Sequence, residues 1–222
     1  MEKKNMTYRI VHGKRKTVAL QVNHNGELLV KAPLFVSRVQ IESFIQQNRP
    51  WILEKQAFMA KKQEFTVRQG SRLMLLGSEY PVKYGERVEF NGSVFFVPQR
   101  PFIEIKPQLI DEYKRLANCI IKRRVEHYSQ ITGWQATAIK VGSAKTRWGS
   151  CSGKNTLNFT WKLVLADLDT VDYVVLHELA HTVEHNHSAN FWRLVGQYMP
   201  DYKNARKRLV ALQERLSVEN WD

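Results

Sequence analysis

Cysteine is nearly absent, with Cys119 and Cys151 the two thiols in 222 residues. A disulfide framework of the kind that holds small secreted domains together is thereby excluded, and thiols this sparse fit a reducing compartment. Long apolar runs are absent too. The amino terminus, Met1-Glu2-Lys3-Lys4-Asn5-Met6-Thr7-Tyr8-Arg9-Ile10, has no apolar core of signal-peptide length, and nothing later approaches the roughly 20 residues of a membrane span. The expectation is a cytoplasmic protein with no membrane partner. Repeats and low-complexity tracts are missing, which excludes a solenoid and argues against disorder. Acidic residues are outnumbered, 21 Asp and Glu against 34 Lys and Arg, for a formal charge of +13.

What is present, 43% hydrophobic and 11% aromatic residues, suffices for a packed interior in one large domain or two small ones. The basic excess gathers at Lys14-Arg15-Lys16, Lys122-Arg123-Arg124 and Arg206-Lys207-Arg208. Such clusters attract nucleic acid, nucleotides or acidic proteins, and they serve equally as solvated helix faces. No nucleic-acid-binding motif accompanies them.

The pattern along the chain is that of an α+β protein. Thr17 to Asn23 alternates apolar and polar residues, Asn25-Gly26 offers a hairpin turn, and Glu27 to Lys31 returns as the partner strand. Ser37 with Gln40 forms a capping box that opens a helix, and Pro50 separates it from a second helix containing Trp51, Ile52 and Phe58. Strands resume from Leu73 to Val97, with Asn91-Gly92 as a second turn. After Pro107 the character changes. Gln108 to Ile131 reads as one long amphipathic helix carrying Leu109, Tyr113, Leu116, Ile120 and Tyr128, and short strands follow at Ile139–Val141 and Thr156–Lys162. A helix begins at Asp169 or Thr170, and two more follow Ser188 and Pro200. These readings divide the chain into a strand and helix region, 1–106, and a second domain, 107–222.

The chemistry sits in His177-Glu178-Leu179-Ala180-His181, an H-E-x-x-H sequence inside a predicted helix. Residues four apart share a helix face, about 6 Å along the axis, so two imidazoles reach one zinc ion at about 2.0–2.1 Å. Glu178, beside the first histidine, is placed to act as the general base that takes a proton from the activated water. Catalytic zinc usually has three protein ligands, and the candidates for the third are Glu184, His185 and His187. On a straight helix His185 stands about 12 Å along the axis from His177, too far to share an ion, and Glu184 is displaced almost as much. His187 is favoured, because Asn186 can adopt the left-handed conformation and turn the chain back toward the metal. His12, His24 and His127 have no partner at ligand spacing and read as structural or exposed.

With these residues in hand, the sequence resembles the YgjP-like metal-dependent hydrolases, a zincin-like family related in architecture to the SprT-like and spartan proteases. The match is carried by Lys145-Thr146-Arg147-Trp148-Gly149-Ser150-Cys151-Ser152, by Leu157-Asn158, by Tyr173 to His181, and by Asn186-His187-Ser188 with Phe191-Trp192. Pro200-Asp201-Tyr202-Lys203 also fits. The resemblance is specific from about Ala144 to Lys203 and weaker in the amino-terminal strands. It implies a zincin-like catalytic domain, an active-site helix beside a small sheet, with zinc on His177, His181 and His187 and with Glu178 as catalytic glutamate. The third histidine has metzincin spacing, but Glu184 stands where metzincins have glycine.

Arg147 to Cys151 has two readings. Gly149 lets backbone approach closely and a strand edge here pairs with an extended peptide; otherwise Trp148 is a core anchor and Gly149 a bulge. Cys151 reads as a buried structural cysteine, since three histidines complete the usual ligand set. The leading functional expectation is a zinc metallopeptidase acting on peptides or proteins. The same activated water on a nucleoside triphosphate is the alternative, and a basic nucleic-acid-associated protease or binding module is the third.

Overall fold

The computed structural model describes residues 7–23, 25–219 and 221, with 62–64 described by backbone alone. His24 therefore lies outside the described residues, as do Met1 to Met6 of the amino-terminal segment. The architecture is α+β, as expected. The chain divides into two compact units between Thr66 and Val67, with Ser217 joining the first and Trp221 the second. This boundary falls earlier than the 106/107 division read from the sequence. The reason is packing: Phe95 lies 5.5 Å from the Tyr113 ring, and Glu112 accepts a 3.0 Å hydrogen bond from the Phe90 N–H. The strands before residue 106 thus share their core with the long helix after it.

In the first unit, β1 (Tyr8–Gly13), β2 (Ala19–Val22) and β3 (Leu28–Pro33) form a sheet of order β1-β3-β2. The β2–β3 hairpin is the one expected. Asn23 Oδ1 accepts from the Asn25 and Glu27 N–H groups at 3.0 and 2.9 Å, and Gly26 supplies the positive φ of +80°. Leu28, Val30 and Ala32 alternate onto one face and pack with Ile41, Ile45 and Ile52 of two helices, α1 (Arg38–Gln47) and α2 (Arg49–Glu64). The Ser37–Gln40 capping box is present, and Pro50 stands in the first turn of α2. β1, which the alternation did not bring out, pairs parallel with β3.

The second unit carries β4 (Arg72–Leu75), β5 (Ser78–Tyr84), β6 (Glu89–Phe90) and β7 (Phe95–Val97) in the order β4-β5-β7-β6. α3 (Phe102–Thr132) begins before the expected Gln108 and carries Pro107 inside it. Burial of Ile105 and Leu109 on either side holds the helix through the proline, although Pro107 donates no backbone hydrogen bond. Its buried stripe is Leu109, Tyr113, Ala117, Ile121 and Val125; Leu116 and Ile120 of the expected stripe are half-buried. Then come β8 (Ala138–Gly142), β9 (Gly149–Cys151) and β10 (Thr156–Thr160), in the order β8-β10-β9 with β9 at the edge. A 3₁₀ turn, Trp161–Leu165, replaces the expected end of that last strand, and Trp161 stacks on Tyr113 at 5.3 Å.

Three helices complete the unit: α4 (Leu168–Ala180), α5 (Ala189–Tyr198) and α6 (Tyr202–Val218). α4 is the central one. Val171, Val174, Val175, Leu176, Leu179 and Ala180 are all buried, the all-round apolar surface of a core helix. Its cap is Asp167, not Asp169 or Thr170, because the Asp167 carboxylate accepts from both the Thr170 N–H and its hydroxyl, at 3.0 and 2.8 Å. The β4–β5 hairpin abuts this cap: Leu76 and Gly77 have φ of 49° and 73°, and a Cβ on Gly77 would meet Asp167 Cα at 2.9 Å.

Candidate metal centre

The histidines at 177 and 181 project from the last turn of α4, and the chain must then return His187 to them. The expected device, a left-handed Asn186, is not used: among the described residues the non-glycines with positive φ are Leu76 and Asn155. Instead α4 stops at Ala180, and a right-handed turn follows. Thr182 N–H bonds to the Leu179 carbonyl at 3.0 Å, and Val183 and Glu184 N–H bond to that of Ala180 at 3.1 and 2.9 Å. The chain thus leaves the helix axis before residue 184, and Ser188 caps α5 by accepting from the Phe191 N–H at 3.2 Å.

The result brings together the three histidines favoured from the sequence. His187 Nε2 lies 3.0 Å from His177 Nε2 and 3.2 Å from His181 Nε2, and all three ligand atoms fall within 4.8 Å of one another. A tetrahedral ion bound at 2.0–2.1 Å separates its ligand nitrogens by about 3.3 Å, so the spacing fits one small cation. His185 is exposed and lies outside this group, as do His12 and His127. Glu184 contributes by backbone: its carbonyl accepts from His181 Nδ1 at 3.0 Å, which leaves Nε2 as the lone-pair nitrogen toward the site. Its carboxylate meets Asn190 instead, at 3.2 Å.

Aromatic rings hold the imidazoles in place. Phe191, fully buried, stacks on His181 at 4.5 Å and presents its ring to His177 and His187 at 4.9 Å each. His177 Nδ1 is buried without a hydrogen-bond partner, so packing by Phe191 and by Tyr173, whose ring is 5.8 Å away, orients it. Burial, then the neighbouring His181, His187 and Arg206, push the His177 pKa down to about 3, and burial likewise lowers that of His181. Both are neutral at pH 7, the form that ligates metal.

Glu178 packs under β9, against Gly149. It is 6% exposed, and burial raises its pKa to about 7 against the opposing pull of a Cys151 backbone hydrogen bond and the Arg147 charge. Gly149 is the neighbour that makes room. A Cβ there would stand 2.6 Å from Glu178 Cγ and 2.7 Å from Oε1, so the glycine is required by close approach. Trp148, half-buried, is not a core anchor, and Cys151 is half-buried with its thiol pKa raised by burial. Sequence reading had no signal for the Gly149–Glu178 contact, the Glu184 carbonyl or the Phe191 platform, because each joins different elements.

Among the described residues no helix is long and apolar enough to cross a membrane. No curated protein matches the chain. Solved structures are similar to part of it. One is the metallopeptidase zymogen of Pyrococcus abyssi abylysin, 23% identical, with a TM-score of 0.39, covering 45% of this chain and 97% of that one. Another is the metallopeptidase zymogen of Methanocaldococcus jannaschii jannalysin, 23% identical, with a TM-score of 0.38, covering 43% of this chain and 96% of that one. The sequence model of the family described as YgjP-like, metallopeptidase domain, matches residues 16–211, and the chain belongs to that family of metallopeptidases.

Proposed function

We propose that the protein is a zinc-dependent peptidase in which His177, His181 and His187 hold the ion and Glu178 is the general base. The observation that carries this reading is the convergence of three imidazole nitrogens, 3.0 and 3.2 Å apart, beside a buried carboxylate. Zinc, held by His177, His181 and His187, would supply Lewis-acid polarisation of the scissile carbonyl and would lower the pKa of a bound water to about 7, readying it to give up a proton. The Glu178 carboxylate accepts that proton and delivers it to the departing amine. The edge strand β9, Gly149–Cys151, lies against Glu178 and can hold an extended peptide by backbone pairing.

The test of substrate is direct. Zinc-loaded protein is incubated with an unfolded protein, a peptide library and a panel of nucleoside triphosphates. Peptide fragments are expected. Release of pyrophosphate from a nucleotide without peptide cleavage would move the assignment to a nucleotide hydrolase and leave the metal site intact.

The ligand set has its own test. His187→Ala is expected to lower the zinc content of the purified protein at least tenfold, as loss of one of three ligands does, while His185→Ala retains about one zinc per chain. Elemental analysis reads both, and the reverse pattern would assign the third ligand to His185.

A further inference from the structure

Beyond the imidazoles, the rings continue. His187 stacks on Trp192 at 5.7 Å and 26°, and Trp192 stacks on Tyr202 at 5.2 Å and 16°. Tyr202 in turn stacks on Tyr173, which meets His177 edge-on at 5.8 Å. Trp192 and Tyr202 of this aromatic shelf form one wall of a groove of about 450 Å³ whose other lining is Lys203, Arg206, Lys207 and Val210 of α6. Positions 203, 206, 207 and 210 follow helical spacing, so the three cations form a single stripe facing the shelf. All three are exposed, and among the described residues none is ion-paired with a carboxylate. Arg208, next along the same helix, differs in being paired with Asp167 at 3.1 Å.

We propose that this groove is a specificity subsite that receives an acidic side chain of the peptide substrate, within about three residues of the scissile bond. The inference rests on the peptidase reading and names the substrate class for that site. The position follows from length: the groove begins at Trp192, one ring contact of 5.7 Å from His187, and an extended chain advances about 3.3 Å per residue. The selectivity follows from charge. Three unpaired cations attract a carboxylate and repel a lysine or arginine at the same position. The apolar shelf accommodates the methylene stem of glutamate.

Two labelled peptides test it, identical except for Glu or Gln at the three positions on either side of the cleaved bond. Binding is read by fluorescence anisotropy on zinc-loaded Glu178→Gln protein, and cleavage is read separately on the active form. The Glu peptide is expected to bind about tenfold more tightly, a preference that rising salt reduces. The Arg206→Glu, Lys207→Glu double variant, altered at exposed positions, is expected to abolish or invert that ratio. Equal binding of the two peptides, or a preference that survives the charge reversal, overturns the subsite. Preferential binding without cleavage by the active form would instead overturn the peptidase reading and leave the subsite standing.

Discussion

Glu178→Gln is expected to lower the rate of peptide hydrolysis by about 10²–10⁴-fold while leaving the zinc content unchanged. The substitution removes the proton acceptor and no proposed ligand. It is also nearly isosteric, which matters because Gly149 leaves no slack: its own Cβ position is already within 2.6–2.9 Å of the glutamate side chain. The amide therefore occupies the same space under β9, and a loss of rate reports chemistry and not a displaced strand. Steady-state kinetics on a fluorogenic peptide, with elemental analysis of the same sample, measures both quantities. Full activity in the variant would exclude Glu178 as the base. Loss of zinc together with activity would place the carboxylate among the ligands.

Signals confined to a few neighbouring residues were legible in the sequence. The Ser37–Gln40 box, the Asn25-Gly26 and Asn91-Gly92 turns and the H-E-x-x-H spacing each depend on local geometry, and each is found. His187 was legible as a neighbour of the pair for the right reason, the impossibility of a straight continuation, but through the wrong residue. The exit from α4 begins at Ala180, where the local i+3 and i+4 hydrogen bonds of Thr182, Val183 and Glu184 make the turn, and no glycine or asparagine marks it. The start of α3 at Phe102 is hidden from local pattern for a related reason: burial of Ile105 overrides the local penalty of Pro107. What no local pattern carries is contact between distant elements. Gly149 against Glu178, the Leu76-Gly77 hairpin against the Asp167 cap, and β1 beside β3 all depend on chain segments that sequence periodicity treats separately.

The helix that carries the metal motif has a buried charge in its first half, and removing that charge's partner is the other large effect expected. Asp172 is 6% exposed on α4, and Arg124 of α3 donates to both of its oxygens, from Nε at 2.5 Å and Nη2 at 2.7 Å. A bidentate pair of this kind fixes the two helices in register as well as satisfying the carboxylate. Arg124→Met leaves Asp172 buried with one weak contact, a 3.4 Å hydrogen bond from the Tyr128 hydroxyl. The expected cost is about 3–5 kcal/mol, a fall in Tm on the order of 10 °C. Adding Asp172→Leu removes the stranded carboxylate, and the double variant should regain most of that loss, because an apolar pair of similar volume replaces a desolvated ionic one. Thermal and urea unfolding of the single and double variants measures the cycle. A single variant within 1 kcal/mol of the parent would show that water reaches Asp172 and that apolar packing alone holds α4 against α3.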